Sequence, residues 1–111
     1  MMNINDYQRE ASTTAKYPLD KGLEYCVLGL VSEAGEVAGK LKKYIRDDDS
    51  SMPMTSKRHD ELVSELGDVL WYIAMIATEL NVSLNEVASN NISKLKDRQQ
   101  RDVISGDGDN R

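Results

Sequence analysis

Two short segments of the chain share one pattern, and each carries a pair of acidic residues. Residues 30–37 (LVSEAGEV) return as residues 62–69 (LVSELGDV), with six of the eight positions identical. Each copy places its two acids three residues apart, which gives four carboxylates: Glu33, Glu36, Glu65 and Asp68. Residues at this spacing are neighbours on a helix surface. Because carboxylate oxygens are the ligands that Mg²⁺ and Mn²⁺ prefer, the repeat predicts a divalent-metal site.

Two other interpretations compete with a metal site. The acids could be solvent-facing partners of basic residues, and Glu36 has the i,i+4 spacing to Lys40 that such a pair needs. We favour metal binding because the acids occur twice, at matching positions of one octet. A di-iron site would require a Glu-x-x-His motif, whereas the single histidine, His59, follows Ser56 at that spacing. Ligands that are all carboxylates indicate Mg²⁺, with Mn²⁺ possible, and phosphate chemistry.

The elements that must position these acids are helices. Four helices and no strand are predicted, over about residues 5–16, 20–46, 56–80 and 84–100, with Pro18 ending the first and a Ser83–Glu86 capping box opening the last. The octets lie in the second and third helices, whose connection of roughly ten residues favours antiparallel packing. Antiparallel packing places both acid pairs on one flank. The prediction is an all-α, four-helix bundle-like fold around a central antiparallel pair.

Apolar residues at helical spacing predict the buried face of three helices. The stripe of the second helix is Leu23, Val27, Leu30, Ala34, Val37, Leu41 and Ile45. The stripe of the third is Leu62, Leu66, Val69, Ile73, Ile76 and Leu80, and that of the fourth is Leu84, Val87, Ala88, Ile92 and Leu95.

Three further features of the octet helices predict packing. Gly35 and Gly67 occupy equivalent helix positions, where glycine costs about 0.5–1 kcal/mol relative to alanine, and therefore indicate close helix approach. Trp71 and Met75 fall away from the stripe and are expected to be exposed, which predicts a contact with a second subunit. Cys26 lies among apolar residues and is expected to be a packed thiol.

The fourth helix carries polar residues that could bind substrate. Asn91, Lys94, Arg98 and Arg101 follow one helical stripe. Asn91 falls within the apolar face, where a buried amide needs partners, and Lys94 and Arg98 could contact phosphate oxygens. For Arg101 we favour a solvated residue that complements the helix dipole. In the third helix Tyr72 shares the flank of the acids and could border a base.

Composition limits the classes of partner. The 111 residues predict one domain, residues 1–104, followed by a flexible polar tail, residues 105–111. A net charge of −5 argues against nucleic acid or an anionic membrane as partner. A single cysteine, no recognisable signal peptide and no apolar run of about 20 residues predict a soluble, cytoplasmic protein.

The chain resembles the MazG-like nucleotide pyrophosphohydrolases, from about Tyr7 to its end. The likeness rests on the segments Ser32–Glu36, Glu65–Tyr72, Asn91–Leu95 and Gly108–Arg111. Members of that all-α superfamily bind Mg²⁺ through an EExxE…ExxD pattern, which implies Glu33, Glu36, Glu65 and Asp68 as ligands here. The first acid of the family pattern is Ser32 in this chain, so one carboxylate that could act as a base is absent.

The resemblance implies a function and an assembly. Hydrolysis of a nucleoside triphosphate between its α and β phosphates would give the monophosphate and pyrophosphate, with Glu33 or Glu36 orienting the attacking water. The family also implies a homodimer or homotetramer. Two alternatives stay open: an enzyme for another phosphorylated nucleotide, such as an alarmone, and a non-catalytic helical interaction module.

Overall fold

The computed structural model describes residues 1–111 and contains helices but no strand. The α-helices are α1 (Ile4–Ser12), α2 (Gly22–Asp47), α3 (Ser56–Glu79) and α4 (Leu84–Gln100), and a 3₁₀ turn, Leu19–Lys21, precedes α2. The predicted all-α class is confirmed. None of these helices is both long and apolar enough to cross a membrane.

The helix ends follow local hydrogen bonding. Thr55 and Ser83 cap α3 and α4 by accepting hydrogen bonds from backbone N–H groups three residues on. The first helix ends at Ser12, four residues before its predicted end at Lys16. The hydroxyls of Ser12, Thr13 and Thr14 each donate to the carbonyl three residues earlier, at 2.7 Å. Such side-chain bonds compete with helix continuation.

The second and third helices pack antiparallel. The start of α2 meets the end of α3 where Gly22 lies against the Glu79 side chain, and further along Gly29 lies against the Tyr72 ring. At the far end the carboxylate of Asp48 accepts hydrogen bonds from Arg58 at 3.0–3.2 Å. A side chain at Gly22 or Gly29 would overlap these groups, so these two glycines permit the close approach.

The glycines of the octets do not have that role in a single chain. A Cβ atom added to Gly35 or Gly67 would have no neighbour within 4 Å. The prediction of close helix approach at these two positions is therefore wrong for the α2–α3 contact. The prediction rests on the repeat, which relates Gly35 to Gly67. Close approach of the helices instead requires a glycine that faces a bulky residue of the other helix, as Gly22 and Gly29 do.

The buried core is small and lies where α1, α2, α3 and the start of α4 meet. Met75 and Cys26 are completely buried, together with Ala11, Ala74, Ala77 and Leu84. The predicted packing of Cys26 is confirmed. The expectation that Met75 is exposed is wrong. Met75 lies on a side of α3 that α1 and the start of α4 cover.

Most of the predicted apolar stripes stay on the surface of the single chain. Leu66, Ile45 and Ile92 are 56%, 71% and 50% exposed, and only eight of 111 residues are buried. The radius of gyration is 17.3 Å, compared with about 13 Å for a compact domain of this length. The helices are thus splayed, and their apolar faces are incompletely covered within one chain.

The fourth helix is attached to α1 at its beginning. Gln8 accepts a hydrogen bond from the backbone N–H of Leu84 at 2.8 Å, and Asn5 accepts one from that of Asn85 at 3.0 Å. The backbone of α4 contacts α1 and α3 but not α2. The polar residues later in α4 therefore lie away from the octet of α2.

Candidate metal and nucleotide site

Three of the four predicted acids converge between the central helices. Glu33 comes from α2, while Glu65 and Asp68 come from successive positions on one face of α3. One carboxylate oxygen of each lies within 4.8 Å of those of the other two. The two octets run in opposite directions in the antiparallel helix pair, and the acids of both therefore lie on the same flank.

Glu36 does not belong to this group of three. Its side chain is exposed, and its carboxylate is not within the same 4.8 Å separation. Glu36 lies one turn beyond Glu33 and is still close enough to raise the pKa of Glu33. The ion pair of Glu36 with Lys40 that the competing interpretation requires is not formed in the structure.

The electrostatics of the cluster fit a divalent cation. The pKa of Glu33 is raised above its ordinary value, chiefly by burial and then by the negative charges of Asp68, Glu65 and Glu36. Like charges held this close repel, and a bound cation removes that cost. The donor atoms are all hard oxygens, which suit Mg²⁺ or Mn²⁺. The residues present therefore fit the metal that the sequence predicts.

An aromatic cavity adjoins the acids on one side. It has a volume of about 390 Å³ and is lined by Thr14, Glu33, Asp68, Trp71 and Tyr72. The Trp71 indole N–H donates to the Thr14 hydroxyl at 2.9 Å, and the Trp71 and Tyr72 rings meet edge to face at 5.0 Å. These contacts fix two aromatic surfaces beside two carboxylates, an arrangement suited to a nucleoside attached to phosphates.

The structure places both aromatic residues at the site. Tyr72 lies on the acid flank, where the sequence predicts it. Trp71 also lines this cavity and is half-buried, so the expectation that it is exposed is wrong, while its contact with a second subunit stays a prediction. Trp71 follows Asp68 by three residues, and this spacing places the two on neighbouring positions of one helix face. The same rule that relates the acids to each other could have identified Trp71.

A second cavity adjoins the acids on the other side. It also measures about 390 Å³, and no apolar residue lines it. Its lining residues are Lys40, Lys57, Asp60, Glu61, Ser64 and Glu65. Glu65 thus belongs to both the acidic cluster and this cavity. Glu61, which shares the acid flank, is paired with Arg58 at 3.4 Å.

The predicted substrate-binding residues of α4 lie elsewhere in the single chain. Asn91 is exposed, which corrects the expectation that it is a buried amide within the apolar face. Lys94 and Arg98 both contact the Asp109 carboxylate, at 3.3 and 3.2 Å. Arg98 is only 5% exposed and also donates to the Asp109 carbonyl at 2.8 Å. None of the three lines either cavity beside the acids.

The residues after α4 fold back along that helix. Besides Asp109, Arg111 takes part, because its guanidinium donates to the carbonyls of Val103 and Ile104 at 3.0 and 2.9 Å. The flexibility of residues 105–111 stays a prediction, but their polar groups provide the contacts of Arg98.

Comparisons with known proteins identify the family of the chain. The family model described as "MazG nucleotide pyrophosphohydrolase domain" matches residues 21–102, which include the whole acidic cluster. "Gene 37 protein" of Mycobacterium phage L5 is 47% identical over 116 residues, covering 99% of this chain and 100% of that protein. No solved structure gives a significant match. The match to the domain covers most of the chain, and the chain therefore belongs to the MazG nucleotide pyrophosphohydrolase family, whose members generally depend on divalent metals.

Proposed function

We propose that the protein is a Mg²⁺-dependent nucleoside triphosphate pyrophosphohydrolase that converts an NTP or dNTP to the monophosphate and pyrophosphate. One observation carries the proposal: Glu33, Glu65 and Asp68 converge to within 4.8 Å, next to a cavity lined by Trp71 and Tyr72. This arrangement pairs oxygen ligands for a cation with flat apolar surfaces for a base, and a nucleotide needs both.

Glu33, Glu65 and Asp68 would hold Mg²⁺, and Glu36 remains a proposed ligand although it lies outside the group of three in this structure. When bound, Mg²⁺ offsets the charge of the phosphate chain and makes a water molecule more acidic. Rotation of the exposed Glu36 side chain about its own bonds changes where its carboxylate points without moving the helix.

The chain's own carboxylates would also serve the hydrolytic step. Glu33 or Glu36 would orient a water molecule in line with the bond to be broken and accept its proton. The water oxygen forms a bond to the α-phosphorus while the bond from that phosphorus to the bridging oxygen breaks. Pyrophosphate then leaves with the bridging oxygen. In such reactions positioning and charge stabilisation supply most of the rate enhancement.

Tyr72 would border the nucleoside, together with Trp71. Asn91, Lys94 and Arg98 remain proposed substrate-binding residues, but they would have to serve a neighbouring chain, because none of them lines a cavity beside the acids of its own chain. The pairing of Lys94 and Arg98 with Asp109 would have to open for a phosphate to replace the carboxylate.

We also propose that the working unit is a homodimer or homotetramer. Apolar residues such as Leu66 and Ile45 are more than half exposed, and Gly35 and Gly67 face open space on the same helices. Helix faces of this kind become stable when a second copy covers them. Analytical ultracentrifugation would test this, and a monomer at micromolar concentration would contradict it.

A nucleotide panel tests the activity. Canonical, deoxy and modified triphosphates and an alarmone would be assayed for pyrophosphate or phosphate release, with and without Mg²⁺, for the wild type and for Glu65→Gln and Glu36→Gln. We expect Mg²⁺-dependent pyrophosphate release that Glu65→Gln abolishes. Turnover of the alarmone alone would favour that class of substrate. No turnover of any nucleotide would favour a non-catalytic helical module.

A further inference from the structure

The two cavities beside the acidic cluster differ in chemistry, although they are equal in volume. Glu33 and Asp68 line the one that contains Trp71 and Tyr72. Glu65 lines the other, which has only charged and polar residues. The acids therefore stand between an aromatic compartment and a polar one, and a molecule bound at the acids can extend into both.

Two lysines line the polar cavity, Lys40 on α2 and Lys57 on α3. Neither forms an ion pair with any carboxylate of the chain, although Asp60, Glu61 and Glu65 line the same cavity. Glu61 is already paired with Arg58, and Asp60 with His59. Lys40 is also half-buried rather than extended into solvent. Two cations on facing helices are thus available to an anionic ligand.

The position of these lysines fits the end of a phosphate chain. Lys40 lies one turn beyond Glu36 on α2, about 6 Å along the helix axis. Lys57 lies two turns before Glu65 on α3, which is the same direction because the helices are antiparallel. Both lysines therefore lie beyond the acids on the side opposite the aromatic cavity. A phosphate chain held at the acids would point its terminal groups at them.

We propose that Lys40 and Lys57 form the subsite for the β- and γ-phosphates, and hence for the pyrophosphate product. The substrate would lie along the groove between α2 and α3, with its nucleoside beside Trp71 and Tyr72 and its terminal phosphates beside the lysines. The Ser64 hydroxyl, in the same cavity, can donate a further hydrogen bond. This inference rests on the proposed function for its choice of substrate, but the binding of pyrophosphate can be tested separately.

Titration calorimetry with Mg²⁺-pyrophosphate, and separately with a nucleoside monophosphate, tests the subsite directly. The proteins are the wild type, Lys40→Gln, Lys57→Gln and the control Lys42→Gln, which changes an exposed lysine of α2 outside the cavity. Loss of one charge-assisted hydrogen bond should weaken pyrophosphate binding about tenfold in each cavity variant. Monophosphate binding should stay within about twofold, and Lys40→Arg should restore most of the pyrophosphate affinity.

The outcomes separate the two proposals. If the wild type releases pyrophosphate from a triphosphate but both cavity variants bind pyrophosphate as the control does, the subsite is wrong and the activity stands. The opposite outcome is a wild type with no activity on any triphosphate, while Lys40→Gln and Lys57→Gln bind pyrophosphate more weakly than the wild type does. In that case the subsite stands and the proposed activity is wrong. Equal loss of monophosphate and pyrophosphate affinity would also overturn the subsite, because it would place the lysines at the α-phosphate.

Discussion

Two charged clusters in this protein are built in opposite ways. The first brings together the like charges of Glu33, Glu65 and Asp68 between α2 and α3. The second brings together opposite charges, as Lys94 and Arg98 of α4 hold the carboxylate of Asp109. The pKa values move accordingly. Burial and neighbouring acids raise the pKa of Glu33, whereas hydrogen bonds from Arg98 and Lys94 lower the pKa of Asp109.

The difference separates two uses of charge. A cluster of like charges lowers the stability of the folded chain, so its presence indicates a ligand that compensates it. A pair of opposite charges needs no ligand, since each partner satisfies the other. We therefore expect substitutions in the acidic cluster to affect activity and metal binding, and substitutions around Arg98 to affect stability.

The largest effect is expected from Glu65→Gln. This change removes one oxygen charge from the proposed metal site, and we expect the rate of pyrophosphate release to fall at least about 100-fold. The matched control is Glu10→Gln, which changes an exposed acid of α1 that forms no ion pair. Steady-state assays on both variants, at saturating Mg²⁺, make the comparison. Equal activity of Glu65→Gln and Glu10→Gln would remove Glu65 from the site.

The next effect is expected from Arg98→Gln, on stability. Arg98 is 5% exposed and its guanidinium nitrogen donates to both the carbonyl and the carboxylate of Asp109. Loss of these bonds from a buried position should lower the free energy of unfolding by about 1–3 kcal/mol. Urea denaturation measures it, with Arg101→Gln as a control at a half-exposed arginine of the same helix. If both variants lose the same stability, burial of Arg98 has no special role.

A smaller effect of opposite sign is expected from Glu33→Gln. Removing one of the converging charges should raise the thermal midpoint of the metal-free protein by a few degrees, on the order of 1 kcal/mol. The same variant should lose the increase in midpoint that Mg²⁺ gives the wild type. Thermal melts in EDTA and in Mg²⁺ measure both changes. A lower midpoint in EDTA would show that Glu33 stabilises the fold and would contradict the like-charge interpretation.

The octet helices were the most predictable part of the molecule. Helical spacing places Glu33, Glu65 and Asp68 on one flank once the short loop makes the helices antiparallel, and this needs no knowledge of the rest of the chain. The aromatic cavity was half-predictable. The position of Tyr72 follows from the same spacing. That of Trp71 follows as well when it is taken relative to Asp68, three residues earlier, rather than to the apolar stripe.

Contacts between distant segments could not be predicted in this way. Met75 is buried because α1 and the start of α4 cover it, and nothing in the spacing of α3 indicates which other helix will do so. The same holds for Arg98, which is buried only because Asp109 folds back on it. The apolar stripes predict buried helix faces, yet much of their surface is exposed in the single chain. A sequence pattern shows that a face needs covering, not which chain covers it.

The smallest effect is expected from Asp109→Asn, and its pH dependence distinguishes the two clusters. Because the folded-state pKa of Asp109 lies below its ordinary value of 3.8, its ionised form is favoured by folding. Its contribution to stability is therefore fully present above the unfolded-state value and is lost as pH falls through the folded-state value. Glu33 behaves in the opposite way, since its raised pKa means that protonation in acid relieves the cost of its charge.

Thermal melts of the wild type and Asp109→Asn at pH 7 and along an acid series that starts at pH 3.8 and continues downward test this sign. The wild type should exceed the variant at neutral pH by a small amount, because Asp109 itself is largely exposed. The difference should vanish in acid, where the wild-type carboxyl also becomes neutral. Asp107→Asn, which changes an acid of the same segment that forms no ion pair, should match the wild type at every pH. No difference at any pH between the wild type and Asp109→Asn would mean that Asp109 holds Arg98 through its backbone carbonyl, which the variant keeps, rather than through its charge.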